Sequence, residues 1–314
     1  MPRTVVTGGA GFVGAHVCRA LLAEGREVLA VDDLSTGRLE QVADLVEDPA
    51  FELVEHDVVL GLAVEGPVDR VLHLASAASV PEYLAHPLET LRVGAEGTRH
   101  ALELARTHHS SFLLASTSEI YGDPAEHPQA ESYWGNVNPV GPRSVYDEAK
   151  RYAEALTMAY HRVFGLDTKI VRIFNCFGPG LLPADGRVVS NFLAQAMAGE
   201  PLTVYGDGTQ TRSFCFVEDE VRGILALLAS SWTGPMNIGN PEEHTILEVA
   251  QLVLEITGSS STITFVDLPH DDPARRCPDI TRAREVLGWS PQVDLREGLQ
   301  RTYDWYRHRA EQMR

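Results

Sequence analysis

Residues 7–14 read Thr7-Gly8-Gly9-Ala10-Gly11-Phe12-Val13-Gly14, with Gly8, Gly11 and Gly14 spaced three apart. They lie between a short β-branched run, residues 3–7, and an amphipathic stretch, residues 12–24, which is the order strand, glycine turn, helix. The first glycine permits a tight turn, Gly11 lets backbone N–H groups approach a pyrophosphate, and Gly14 lets helix and strand pack closely. A second apolar run, residues 27–31, ends at Asp32, where the adenosine ribose of a dinucleotide belongs. A carboxylate there accepts from the 2′-OH and repels a 2′-phosphate, so NAD rather than NADP is expected.

Outward from this turn, apolar segments at 51–55, 69–74, 111–115 and 167–174 alternate with helix-like stretches at 88–106 and 145–164. Such alternation predicts an α/β fold, a doubly wound parallel sheet of the Rossmann type. After about residue 175 the pattern turns irregular, with Gly and Pro clusters at 178–186 and 206–208. The expected organisation is a Rossmann domain over 1–175, with a return of 216–240, and a smaller C-terminal substrate-binding lobe over 176–314. No internal repeat or low-complexity tract interrupts it.

The 314 residues are 44% hydrophobic and carry a formal net charge of -18. That leaves no basic surplus for a phosphate backbone, so nucleic acid is excluded as a partner, and an anionic membrane surface is disfavoured. No apolar run is long enough to span a bilayer, and the glycine motif begins within ten residues of Met1, so a cytoplasmic protein is expected. Cys18, Cys176, Cys215 and Cys277 are too far apart for a CxxC pair and are read as reduced and structural. His56, His73, His108 and His109 show no metal-ligand spacing, and no metal is expected.

Tyr146 and Lys150 lie four apart, which on a helix puts them on one face. Ser144 with Asp147 resembles a capping box and places Tyr146 in the first turn. A protonated lysine and a positive nicotinamide ring stabilise the phenolate, so the tyrosine can act as a base toward a sugar hydroxyl. Ser116-Thr117-Ser118-Glu119 follows at the carboxyl end of a predicted strand, where doubly wound folds bind ligands.

Over its whole length the sequence resembles the extended short-chain dehydrogenases, and among them the UDP-glucuronate decarboxylases. The resemblance is carried by Ser116-Thr117-Ser118-Glu119-Ile120-Tyr121-Gly122, Tyr133-Trp134-Gly135-Asn136-Val137-Asn138-Pro139 and Gly141-Pro142-Arg143-Ser144-Val145-Tyr146-Asp147-Glu148. Further on it is carried by Asp185-Gly186-Arg187-Val188-Val189-Ser190-Asn191-Phe192, Val204-Tyr205-Gly206-Asp207-Gly208 and Arg276-Cys277-Pro278-Asp279-Ile280. It implies a catalytic set of Thr117, Glu119, Tyr146, Lys150 and Arg276. Glu119 is the residue that most separates this group from ordinary sugar epimerases. It implies cofactor contacts at Gly8, Gly11, Phe12, Val13, Gly14, Asp32, Asp57, Val58, Leu74 and Ala75 besides Tyr146 and Lys150. Substrate contacts fall on Ser118, Asn175, Arg187, Val189, Asn191, Tyr205, Arg212 and Arg276, with Tyr205 near the uracil and the arginines at the diphosphate or carboxylate.

The implied chemistry is oxidation at C4, loss of carbon dioxide and return of hydride to give UDP-xylose. Glu119 and Arg276 would position the ring and carboxylate and help to protonate C5. Two departures keep a second outcome open. Leu74-Ala75-Ser76-Ala77-Ala78-Ser79-Val80-Pro81 looks more like the sugar 4-epimerases, and Gly94 stands where the family usually has asparagine. Rotation of the ketosugar before decarboxylation would give UDP-galacturonic acid instead. A catalytically silent NAD-binding regulator on the same fold is the remote alternative, and the complete Thr117, Tyr146 and Lys150 set argues against it. The family also implies a homodimer built on helices around 88–104 and 152–163.

Overall fold

The β-branched run at the start of the chain becomes the middle of a sheet in the computed structural model, which describes residues 2–268 and 275–312. Strand β1 (Arg3–Thr7) pairs in parallel with β2 (Glu27–Asp32), and β2 with β3 (Phe51–Glu55). On its other side β1 pairs with β4 (Arg70–His73), followed by β5 (Ser111–Thr117) and β6 (Thr168–Ile173), again all parallel. Helices α1 (Phe12–Ala23), α2 (Val80–Ala85), α3 (Pro87–Arg92), α4 (Thr98–His108) and α5 (Ser144–Phe164) lie between these strands in sequence.

After Ile173 the chain leaves the sheet through β7 (Cys176–Phe177), α6 (Val188–Ala198), β8 (Leu202–Tyr205), β9 (Thr211–Ser213) and β10 (Cys215–Phe216). Helix α7 (Val217–Ala229) brings it back to β11 (Gly234–Ile238), the seventh strand, parallel to β6. The rest is β12 (Glu243–Thr245), α8 (Ile246–Thr257), β13 (Ile263–Val266), β14 (Arg275–Arg276), α9 (Thr281–Leu287) and α10 (Leu295–Gln312). The sheet order is β11-β6-β5-β4-β1-β2-β3. Connections from β1 therefore run one way and those from β4 the other, which opens a crevice at the carboxyl ends of these two strands.

Both faces of the sheet are covered, so its strands are apolar at consecutive positions. Val6, Ala30, Leu72, Leu113, Val171 and Ile238 point to the face covered by α1, α7 and α9. Val5, Leu29, Val71, Phe112 and Ile170 point to the face covered by α4 and α5. A separate core of Phe192, Leu193, Leu202, Val249, Val253 and Leu299 holds the lobe together. Ile280, Ala283 and Trp289 belong to the sheet core. Residues 280–289, which the sequence pattern assigns to the lobe, thus sit on the sheet, because the returning α7 and β11 offer them an apolar face. The last two residues of the expected lobe, 313–314, lie outside the described residues.

A π-type turn, Val93–Gly97, continues α3 into α4. There a Cβ on Gly94 would lie 2.6 Å from the Ala149 Cβ of α5. The glycine that departs from the family pattern is thus the close contact between this turn and α5. No helix among the described residues is long and apolar enough to cross a membrane.

Candidate active site

The crevice is a cleft of about 310 Å³ that opens into a smaller chamber of about 80 Å³, and both share Gly8, Gly11, Leu74 and Ser76 in their walls. Gly8 has φ +73°, and a Cβ there would lie 2.7 Å from the Ala75 nitrogen. A Cβ on Gly14 would lie 2.0 Å from the Gly8 carbonyl oxygen. Both positions exclude any side chain. Helix α1 starts at Gly11 with no side-chain cap and no acid in its first turn. Its first-turn residues, Phe12 to Gly14, line the cleft, where the free N–H groups of a helix start suit an anionic pyrophosphate.

Asp32 lines the smaller chamber with Asp57, Val58, Leu74 and Ala75. Its carboxylate accepts from the Ala10 and Leu34 backbone N–H groups, each at 2.9 Å, and burial raises its pKa. Each oxygen keeps a lone pair for a ribose hydroxyl. Asp57 accepts from the Val59 N–H at 2.8 Å and so shapes the wall beside it. A glycine cradle, uncapped helix N-terminus and carboxylate in this order fit NAD.

At the other end, α5 presents Tyr146 and Lys150 to the carboxyl end of β5. The Lys150 ammonium donates to the Ala115 carbonyl at 2.9 Å and lies 5.8 Å from the centre of the Tyr146 ring. Burial pushes this lysine down to about 8, against the pull of Glu154. The Tyr146 ring stacks on Tyr83 at 5.1 Å. Burial first, then the Glu119 charge, raise the phenol well above its ordinary value, and a hydrogen bond with Thr117 works the other way. Desolvation therefore dominates at this phenol, opposed by the Thr117 hydrogen bond and the Arg187 charge.

The expected capping box does not form. Arg143 is the N-cap residue, the Ser144 hydroxyl donates to the Gly141 carbonyl at 2.7 Å, and Asp147 is buried with Oδ1 unpartnered. Burial, then Glu119, push the Asp147 carboxyl up to about 7. This frees the Arg143 side chain to turn inward, where its Nη2 lies 2.6 Å from Glu119 Oε2. Arg276 holds the other oxygen of the same carboxylate. Although burial works to raise it, the two guanidinium groups hold Glu119 down at about 2. In this arrangement Glu119 is an anchor for arginines and not a proton source. Sequence patterning missed Arg143 because its role depends on which residue caps α5.

Thr117, Ser118, Glu119, Asn175 and Arg187 also line the cleft, and Arg187 forms an ion pair with Asp185. Arg276 reaches it through Glu119 and keeps a buried, unpartnered Nε. Val189 is buried in the lobe core, Asn191 donates to the Gly186 carbonyl at 3.0 Å, and Tyr205 is exposed at the end of β8. Arg212 is buried on β9, in register with Arg276, and donates to the Thr211 carbonyl at 2.8 Å. These four stand outside the cleft lining.

Beneath the site a buried polar network fixes α5 to the sheet. Ser116 donates to Glu154 at 2.6 Å, and Arg172 binds both Glu154 oxygens at 2.9 and 2.7 Å. Arg172 also donates to the Tyr121 hydroxyl at 2.9 Å, which in turn donates to Asn237 on β11 at 2.8 Å. A bidentate guanidinium resists rotation, so the pitch of α5, and with it Tyr146 and Lys150, is set from below.

A family model described as the NAD dependent epimerase/dehydratase family matches residues 4–239. UDP-glucuronic acid decarboxylase 1 of Arabidopsis thaliana is 51% identical over 98% of this chain and 70% of its own length. UDP-glucuronic acid decarboxylase 1 of Xenopus tropicalis is 49% identical over 98% of this chain and 73% of its own length. Among solved structures, a mutant of UDP-glucuronic acid 4-epimerase from Bacillus cereus, in complex with a fluorinated UDP-glucuronic acid and NAD, superposes with a TM-score of 0.86. It is 28% identical, with 98% of this chain and 99% of that one covered.

Proposed function

From the premise that the chain belongs to the NAD dependent epimerase/dehydratase family, we propose that it converts UDP-glucuronic acid through a 4-keto intermediate into UDP-xylose and carbon dioxide. The observation that carries this reading is the likeness to UDP-glucuronic acid decarboxylases, at 51% and 49% identity over 98% of the chain.

Gly8, Gly11, Gly14 and Asp32 would hold NAD, which would supply a reversible hydride acceptor for C4 and a positive ring charge that favours the phenolate. Tyr146 takes the C4 hydroxyl proton while Thr117 holds the same oxygen. The C5 carboxylate is then β to a ketone, and the C–C bond breaks with its electron pair left in an enolate. Hydrogen bonds from Tyr146 and Thr117 to the enolate oxygen stabilise it. A proton from water closes C5, and Tyr146 returns its proton to the C4 oxygen. Glu119, ionised throughout, holds Arg276 and Arg143, and Arg276 keeps its Nε–H for an anionic oxygen. Asn175, Arg187 and Ser118 are the proposed substrate contacts in the cleft, with Arg212 and Tyr205 meeting the nucleotide when the lobe closes.

Incubation with UDP-glucuronic acid and NAD in deuterium oxide, followed by proton NMR, tests the scheme. A pentose spin system with one deuteron at C5 is expected. Retention of the carboxylate with an inverted C4 coupling pattern means 4-epimerisation, the second reading. That reading is favoured by Ser76, Ala78 and Ser79 in the cleft wall and by the likeness to the Bacillus cereus enzyme.

We further propose a homodimer. Exposed apolar side chains on α3 and α5, Leu88, Leu91, Tyr152 and Val163, support it, and light scattering would read the mass. Cytoplasmic residence is proposed on the four cysteines, all buried and unpaired. The domain division proposed is sheet and cofactor site over 1–175 with 216–240, and nucleotide-sugar lobe over the remainder apart from residues 280–289.

A further inference from the structure

Next to the Arg276 strand, three segments distant in sequence bring together three different donor groups. His127 comes from the loop between β5 and α5, Glu243 from β12, and Cys277 directly follows β14. One ligand atom from each lies within 4.8 Å of the other two. His127 Nε2 is 2.8 Å from Glu243 Oε2. The remaining Glu243 oxygen accepts from the Thr211 hydroxyl at 2.6 Å, which fixes the carboxylate with one oxygen turned toward the other two groups. A hydrogen bond to the far oxygen in this way is the usual means of aiming a metal ligand.

We propose that His127, Glu243 and Cys277 form a binding site for a borderline-soft divalent cation of the zinc type. Nitrogen, oxygen and sulfur together are the donor set such ions prefer in tetrahedral geometry, whereas magnesium and calcium take oxygen alone. His127 and Glu243 are partly exposed, so water can complete the fourth position. The ion displaces the Cys277 thiol proton and satisfies a thiolate beside the Glu243 carboxylate.

The site is coupled to the cleft by the backbone. The Cys277 N–H donates to the Gln129 side chain at 2.8 Å, and the Gln129 N–H donates to the Cys277 carbonyl at 2.9 Å. A cation bridging His127, Glu243 and Cys277 clamps this pairing and holds the residue before it, Arg276, against Glu119. The ion touches no substrate and acts by restraining Arg276, the arginine that the proposed function gives to an anionic oxygen of the substrate.

Cobalt(II) titrated into the full chain, without substrate or NAD, is the direct probe, since binding is then read independently of any activity. The expected result is a thiolate-to-metal charge-transfer band with the visible bands of four-coordinate cobalt. Cys277→Ser should abolish the charge-transfer band, and His127→Gln should weaken binding at least about tenfold, the loss that even an outer partner's removal causes. Zinc should raise the unfolding temperature of the unaltered chain and not of Cys277→Ser. If Cys277→Ser fails to fold, His127→Gln, at a side chain 31% exposed, decides the matter. Absence of the band in the unaltered chain overturns the proposal, as does a band that survives Cys277→Ser and therefore belongs to Cys18, Cys176 or Cys215.

Discussion

Arg143→Leu removes one of the two guanidinium groups that hold Glu119 and leaves its burial in place. At 2.6 Å an ion pair is worth about 6 kcal/mol at an effective dielectric of about 20, before desolvation of the guanidinium is set against it. The net effect of one adjacent opposite charge is roughly 1–3 pKa units. Glu119 lies at about 2 in the native site, so in the variant it should titrate between roughly pH 3 and 5. The direction follows from the charge: loss of a cation favours the neutral acid, and a neutral Glu119 releases Arg276. In the unaltered enzyme Glu119 then contributes no acid limb to kcat/KM above about pH 3, whereas Arg143→Leu acquires one, falling about tenfold per pH unit below its pKa. Product formation from UDP-glucuronic acid, measured from about pH 3 to 8, reads the limb. Arg143→Lys, which restores the charge, should move the limb back down. Superimposable profiles for the unaltered enzyme and Arg143→Leu would refute the role given to the arginine pair.

Two further substitutions test the two ends of the cleft. Gly14→Ala drives a Cβ to 2.0 Å from the Gly8 carbonyl oxygen, and overpacking of about 1–3 kcal/mol should weaken NAD binding roughly tenfold to a hundredfold by calorimetry; unchanged affinity would show that the turn yields. Lys150 sits at about 8 against 10.5 when solvated, so the native state binds fewer protons between these values and stability rises with pH across that window. At neutral pH the buried ammonium therefore costs about 3 kcal/mol. Lys150→Met should leave the fold at neutral pH unchanged to more stable, by that amount less roughly 1.5–3 kcal/mol for the lost ammonium bond to Ala115, while kcat falls roughly 10²- to 10⁴-fold. A denaturation midpoint below that of the unaltered enzyme would contradict this.

What the sequence shows well is whatever its chemistry keeps local. The glycine turn declares itself because strand, turn and helix are contiguous, and Tyr146 with Lys150 because a helix repeats its faces every four residues. The neighbour of Glu119 was harder to see. Ser144 and Asp147 have the spacing of a capping box, yet Arg143 takes the cap and turns its side chain to the carboxylate, a choice made by the buried charge of Glu119. Residues 280–289 have a pattern that fits either core, and only the return of β11 to the sheet settles which one they cover. Tyr83 gives no sign from its own helix that it will stack on Tyr146, and the His127, Glu243 and Cys277 cluster has no spacing at all, since it forms only when three segments meet.

The lobe strands β7 to β10 lie in sequence between β6 and β11, which are neighbours in the sheet. During synthesis, therefore, β6 emerges from the ribosome long before the strand that will cover its open side. A growing chain that has not yet passed Gly234 carries a bare parallel edge and an unsatisfied Asn237 partner at Tyr121. The polar network beneath the catalytic helix is thus completed at its Asn237 end only late in translation, and the interval before it is the time in which this polypeptide most needs protection from other chains.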